Sequence, residues 1–457
     1  TEEEIDAERG VITEEWRTRR NARFRMYKES LPYMYNHSKY AERDVIGDID
    51  VIKNFEYETI RDFYHDWYRT DLQAIAIVGD FDAAEMEKKV IERFSDIPAV
   101  EDAKERPFTE IPDNEKPMFA LVTDKEADNT YIQYMIRQYV GEDGLTTVAG
   151  LRDHYIEQLF NRMMSQRIQE LLQQGDPPFV NGSVSRRGFA RGYDALMISA
   201  MAKTNEEAVA LKTVMEEAER ARRHGFTAGE LERSKTQMLT RMEKRYNERD
   251  KISNDRFARE YRNHFLQNEA FLNVEHEFQL MKELMPTITT GDFDQAMDKW
   301  FMDKNQVLII QGPEDEEINH LTKDQAFAIM DQVEQADIQP YEDTEVAGEL
   351  LAAELEGSSV TATKELSDLD AVEWTLANGA RVVYRFADFD KDNVSFQAVS
   401  DGGSSVFDAA YVPTMDMLPS LAEFYGLGEY DRMALQKMLT GKNVSLELQL
   451  SELSEGM

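Results

Sequence analysis

Phe63 to Asp82 reads FYHDWYRTDLQAIAIVGDFD, and Ala296 to Asp315 reads AMDKWFMDKNQVLIIQGPED. Trp67 precedes Gly79 by twelve residues, and Trp300 precedes Gly312 by the same twelve. In both copies a helical segment carrying the Trp leads into a short apolar run, a glycine turn and an acidic helix start. A matched order of helix, strand and turn implies that the chain contains a duplicated unit.

Outward from the first copy, residues 2 to 30 carry one long helical pattern that Ser30-Leu31-Pro32 should stop. A helix is expected over Tyr57 to Tyr68 and a strand over Leu72 to Val78. Asp82 with Glu85 then signals the cap of a helix running to Phe94. Residues 99 to 116, with Pro107 and Pro112, read as polar linker. Beyond it come strands at Phe119–Thr123 and Tyr131–Ile136. A helix over Thr147 to Gln174 has Val148, Leu151, Tyr155, Leu159, Met163 and Leu171 on its core side. Strands at 179–186 and 193–202 follow, then a helix from Asn205 to Gly225 and a capping box at Thr227–Glu230 that opens another helix. Residues 338 to 371 are acidic, with one candidate helix around Glu345 to Glu356. Trp374–Leu376, the Asn378-Gly379 turn and Val382–Phe386 predict a hairpin, and Asn393–Ser400 a further strand.

The 457 residues suggest roughly three domains. Hydrophobic content of 42% is that of a globular protein, and runs such as Ala74 to Val78 are too short to span a bilayer. A formal charge of −37 argues against nucleic acid as a partner, because phosphate repels such a surface. The acidity serves solubility, or a chamber that prefers basic peptides. With no cysteine, disulfides and thiolate chemistry are excluded. Gly402-Gly403-Ser404-Ser405 lacks the Lys of a phosphate loop, and the 22 methionines read as core filling.

One constellation carries chemistry. Glu8 and Glu15 lie seven residues apart in ERGVITEE, almost two helical turns, so both project from one side. Ile5, Val11, Ile12 and Trp16 read as an apolar stripe beside them, where a carboxylate is costly without a metal or a protonated partner. The plainer reading is a solvent-facing helix with ion pairs to Arg9, Arg17, Arg19 or Arg20. The seven histidines are His37, His65, His154, His224, His264, His276 and His320, and none is four residues from another. Glu275-His276-Glu277 has no second histidine at ligand spacing. Each histidine reads as a surface or packing residue.

The string ERGVITEEWR, the Trp-bearing helix and AIAIVGDFD resemble the pitrilysin–insulinase family of zinc metallopeptidases. Further stretches share the likeness, among them KTQMLTRMEKRYNERDK, DKNQVLIIQGPE and VEWTLANGARVVYRFADFDKDNVSFQAVSDGGSS. The resemblance implies an α+β fold of repeated two-layer modules, each an antiparallel-rich sheet packed against helices. In that family a His-x-x-Glu-His motif supplies two zinc ligands and the general base. A later helix carries two glutamates in the pattern Glu-Arg-x-x-x-x-x-Glu. Glu8-Arg9 and Glu15 match it, which implies that Glu15 is the third Zn2+ ligand and that Glu8 orients a ligating histidine. The seven-residue spacing selects Glu15 over Glu14. Zinc with three protein ligands keeps a fourth position for water.

No His-x-x-Glu-His occurs in this chain. The expectation is that it lies upstream of Thr1, with the general-base Glu, and that these residues alone hold no zinc and cleave nothing. The implied organisation is 1–105, the second half of module 1; 106–116, a linker; 117–337, module 2; 338–371, an acidic linker between halves; and 372–457, the start of module 3. The implied activity is metalloendopeptidase cleavage of peptides or unfolded polypeptides in a clamshell chamber. A non-catalytic partner subunit of the same fold is the alternative. The expected partners are the substrate and the remaining modules, with no nucleic acid and no membrane span. The periplasm or cell envelope is the implied location, and the cytoplasm the alternative. In the family's fourth module an Arg and a Tyr seven apart assist the reaction. Arg167 here is followed at that spacing by Gln174, so that role is not carried over.

Overall fold

The computed structural model describes the chain except for 143, 144, 345, 347, 349, 352 and 390–392, and except for the side chains of 416 and 423. It divides into two compact units: Thr1–Ser234, Ser253–Asn273 and Leu280–Glu342, and the remainder, which runs from Asp343 to Met457 with Lys235–Ile252 and Val274–Gln279.

In chain order the elements up to Gln335 are α1 (Glu2–Arg19), α2 (Ala22–Met34), α3 (Lys39–Glu42), α4 (Ile49–Asn54), α5 (Tyr57–Trp67), α6 (Ala83–Phe94), β1 (Met118–Asp124), β2 (Thr130–Tyr139), α7 (Val148–Leu172), β3 (Asn181–Ala190), β4 (Tyr193–Ala202), α8 (Glu207–His224), α9 (Ala228–Asn247), α10 (Asn254–Gln267), α11 (Val274–Leu284), α12 (Thr290–Trp300), β5 (Gln306–Pro313) and α13 (Lys323–Gln335). The five strands form one sheet in the order β1-β5-β2-β4-β3, antiparallel except for the β1–β5 pair. The mixture of helices and antiparallel-rich sheet is the α+β class that the sequence implies.

Strand alternation divides the core. Val307 and Ile309 join Ala120, Val122, Met135, Ala195 and Met197 in a cluster with Met26 and Met34 of α2. Leu308 and Ile310 project to the opposite face and are as fully buried, and α7 and α8 pack on the sheet as well. Polar bonds fix α2 in place. Gln311 Nε2 donates to Ser30 Oγ at 2.8 Å, Arg25 makes a two-pronged pair with Asp124 at 2.6 and 2.7 Å, and Arg137 Nη1 donates to the Met34 carbonyl at 3.1 Å. Arg137 is 2% exposed, and burial pulls its guanidinium down to about 10.

Several expectations change. The single helix over 2–30 is two: the chain breaks at Arg20, and Asn21 Oδ1 caps α2 by accepting from Phe24 N. Pro32 does not stop α2, which runs on to Met34 while Leu31 and Met34 are buried. Val148 is 54% exposed rather than core. The largest change falls on the opening repeat. Its second copy forms β5, buried between β1 and β2, whereas 73–78 in the first copy forms no strand. A strand needs a neighbour for its backbone groups, and 73–78 has none among the described residues. Ile75 and Ile77 are exposed, as are Ile60, Phe63 and Tyr64 of α5 and Ile91 and Phe94 of α6.

The second unit holds β6 (Val360–Leu366), β7 (Ala371–Leu376), β8 (Arg381–Tyr384), β9 (Val399–Asp401), α14 (Val412–Tyr425), α15 (Arg432–Met438), β10 (Gln449–Leu450) and β11 (Ser454–Gly456). The predicted hairpin is β7–β8, with Gly379 at φ +88° in its turn and the Trp374 and Tyr384 rings stacked at 5.6 Å. β6 pairs with β7 and lies in a stretch read as linker. The strand expected over 393–400 starts late: β9 covers Val399–Asp401, with Ala398 bonded to Met457 just before it. The candidate helix at 345–356 lies partly outside the described residues.

Candidate functional site

Helix α1 carries both glutamates and opens with a capping box between Thr1 and Glu4. It buries no residue completely. Its half-buried positions are Ile5, Arg9, Ile12, Thr13 and Trp16, a face centred on Arg9 at helical spacing. Val11 is 59% exposed and lies off that face, so the stripe contains a guanidinium where Val11 was expected.

Glu8 and Glu15 stand on the flank of this face, about 100° around the helix from Arg9. Both are exposed. Glu15 Oε1 pairs with Arg19 Nη2 at 2.5 Å, and Glu14 Oε2 with Arg17 Nη2 at 2.9 Å. Glu8 makes no hydrogen bond or ion pair with the described residues. The burial cost that made the pair notable in the sequence is therefore absent here, since both carboxylates meet water.

Arg9, rather than either glutamate, is the anchored group. Its Nη1 donates to the Lys53 carbonyl and its Nη2 to the Phe55 carbonyl, each at 2.5 Å. The guanidinium lies 4.1 Å from the Phe55 ring centre and 5.5 Å from that of Tyr57. Asp6 flanks its Nε at 3.4 Å and accepts from the Tyr57 hydroxyl at 2.8 Å. That hydrogen bond holds the Tyr57 phenol above its ordinary range. The sequence reading offered Arg9 as an ion-pair partner for the glutamates. Its actual partners are backbone carbonyls more than forty residues away, which a motif cannot reveal.

Three of the histidines bond to neighbouring carbonyl or carboxylate groups. His224 Nε2 lies 2.7 Å from the Ile338 carbonyl, and His264 Nδ1 2.5 Å from that of Glu269. His320 sits between Glu207 Oε1 at 2.6 Å and the Pro313 carbonyl at 2.7 Å. Among the described residues no three His, Asp or Glu side chains are placed to hold a metal ion. A zinc ion therefore fits these residues only in part: Glu15 offers an exposed carboxylate whose one partner is a surface arginine, and the other donors are not on this helix.

Arg167 is a separate matter. It is 2% exposed on α7 and pairs with Glu230 through Nε at 2.6 Å and Nη2 at 2.9 Å, with Glu217 at 3.4 Å from Nη1. It also donates to the Gly225 carbonyl at 3.1 Å and lies over the Phe226 and Tyr341 rings at 4.7 and 4.3 Å. Burial pulls against its charge, yet the Glu230 bond and both carboxylates raise it overall. Enclosed in this way, it ties α7, α8 and α9 together.

Residues 54–238 match the family described as "Peptidase M16 inactive domain". A zinc protease PQQL-like of Arabidopsis thaliana is 27% identical over 98% of this chain and 44% of its own length. The probable zinc protease PqqL of Escherichia coli is 25% identical over 98% of this chain and 48% of its own length. The crystal structure of the periplasmic protease PqqL from Escherichia coli superposes with a TM-score of 0.69 at 21% identity, covering 99% of this chain and 50% of that one. The chain thus spans about half the length of the relatives it matches. The likeness in sequence runs along 98% of the chain, and both the matched family model and these relatives are similar to this chain as M16 peptidases, the pitrilysin–insulinase family, are to one another.

Proposed function

We propose that this chain is part of a zinc-dependent metalloendopeptidase that cleaves peptides or unfolded polypeptides, and that it contributes one wall of the zinc site from α1. Glu15 is the metal ligand. Glu8, about 10 Å further along the axis, stands behind the metal and holds a ligating histidine by its second nitrogen. The histidines and the general-base glutamate come from outside these 457 residues, so the chain alone is inactive. When bound, zinc acidifies water and polarises the scissile carbonyl. The residues of this chain hold and orient. The modules proposed are 1–105, 117–337 and 372–457 with linkers at 106–116 and 338–371, and the periplasm is the proposed compartment.

The observation that carries the reading is the exposed Glu8/Glu15 pair at seven-residue spacing on a helix pinned through Arg9. Two named zinc proteases match 98% of the chain. The lone apolar segment 73–78 supports a module completed by strands from elsewhere. A non-catalytic subunit of the same fold is the second reading, favoured by the Glu15–Arg19 pair, which satisfies the carboxylate without metal.

The test has two parts. A His-x-x-Glu-His encoded ahead of Thr1 supports the peptidase, and its absence there leaves the non-catalytic reading. In the protein that carries that motif, Glu15→Gln should lose zinc by metal analysis and lose peptide cleavage, whereas Glu14→Gln should retain both. Full zinc content in the Glu15 variant removes the ligand assignment.

A further inference from the structure

Helix α1 has little to hold it. None of its residues is fully buried, and Ile5, Ile12 and Trp16 are only partly covered. The turn that it faces, between α4 and α5, presents the Lys53 and Phe55 carbonyls. These lie at the end of a helix of six residues and in the turn after it, where orphan carbonyls concentrate. Arg9 fills that gap. A guanidinium is the one side chain that can give parallel donors to two carbonyls and stack its flat face on aromatic rings as well. Asp6, one turn earlier, steadies the fork on its Nε side and is itself held by the Tyr57 hydroxyl.

We infer that Arg9 is a positioning residue: its fork onto Lys53 and Phe55, rather than its charge, sets the rotation and height of α1 and so aims Glu8 and Glu15. This inference rests on the role proposed for Glu15. The geometry follows from helical spacing. With Arg9 fixed at the centre of the covered face, Glu8 and Glu15 fall about 100° to one side, at the same angle to within about 20°. Rolling α1 by a modest amount would carry both carboxylates together, either onto the covered side or away from the flank. Among the described residues neither glutamate has a hydrogen bond or ion pair with another element that could resist this. The Glu15–Arg19 pair lies within the helix and rotates with it.

The experiment compares Arg9→Gln, Arg9→Lys and the unaltered chain by hydrogen–deuterium exchange. Arg9→Lys keeps the charge and most of the stem but lacks the fork. Losing charge-assisted bonds to two carbonyls should raise exchange of the α1 amides in both variants on the order of tenfold or more. The amides of Leu308 to Ile310 in the central strand should keep their protection, which shows that the variants fold. Unchanged α1 exchange in Arg9→Gln, or an Arg9→Lys chain that matches the original, overturns the inference.

The second readout is zinc affinity, measured by chelator competition in the protein that carries the whole site. Both Arg9 variants should bind zinc more weakly, again by about tenfold or more. Loosened α1 with unaltered zinc affinity also overturns the positioning role. Retention of zinc by Glu15→Gln would instead remove the ligand assignment, and the exchange data would still report whether the fork holds α1.

Discussion

Arginine in this acidic chain is used mainly as a backbone and carboxylate fastener. Arg167 is the most committed case, because Glu230 and Glu217 are buried with it. Arg167→Met keeps bulk and removes the guanidinium that pairs with the interior Glu230 carboxylate, while Glu217 keeps its pair with Arg220 at 3.0 Å. We expect a loss of about 3–5 kcal/mol, read as a fall in the urea midpoint followed by near-ultraviolet circular dichroism. Adding Glu230→Gln to that variant should recover part of the loss. The Arg25–Asp124 pair gives a pH signature instead. The Arg25 guanidinium depresses the Asp124 carboxyl from 3.8 to about 2. A lowered carboxyl contributes stability that is present above the ordinary value and disappears as pH falls toward the lowered one. Between about pH 4 and pH 2 the original chain should therefore lose stability that Arg25→Gln never had. Urea titrations across that window should show a flatter slope for the variant.

The repeated element shows how one local pattern reaches two outcomes. Both copies have the Trp helix, the apolar run and the glycine, and the sequence made both into strands. In the second copy β1 and β2 flank the run and it becomes β5. In the first copy no strand among the described residues flanks it. Period and composition report what a segment can do, while pairing depends on residues far away. The glycines differ for the same reason. A Cβ on Gly312 would stand 2.6 Å from His320 Cε1 and 2.9 Å from Thr130 Oγ1, and His320 is held from both sides. Gly312→Ala should cost about 1–3 kcal/mol. A Cβ on Gly79 meets only the Phe81 ring at 3.4 Å, so Gly79→Ala should stay within about 0.5 kcal/mol. Thermal unfolding of the two variants side by side measures the contrast. Helices α5 to α8, the Asp82 and Thr227 caps and the β7–β8 hairpin were legible because caps, periods and an Asn-Gly turn are local signals. The burial of Arg137 and the fork of Arg9 were not, because each is decided by a partner distant in sequence; the break at Arg20 did carry a local signal, the Asn21 cap, which the long helical pattern concealed.

At the scale of the whole molecule, the family resemblance and the fold class were readable from two motifs and a repeat, and the sheet order was not. The order β1-β5-β2-β4-β3 brings a strand from beyond residue 300 between two that are close in sequence, and no periodicity encodes that. For the candidate site, the placement of Glu8 and Glu15 on one side of α1 followed from their spacing, while Arg9, which binds the turn after α4, was taken for an ordinary ion-pair partner. The unpaired run at 73–78 has one more consequence, which concerns the behaviour of the chain in solution. Exposed strand-forming backbone beside Ile75 and Ile77 is a template for cross-chain sheet formation. A formal charge of −37 opposes it by mutual repulsion between molecules. That repulsion fades as the solution approaches the isoelectric point near 4.6. The acidity thus acts as a colloidal guard on an unpaired apolar segment, a guard that mild acid or high salt would lower before any part of the fold gives way.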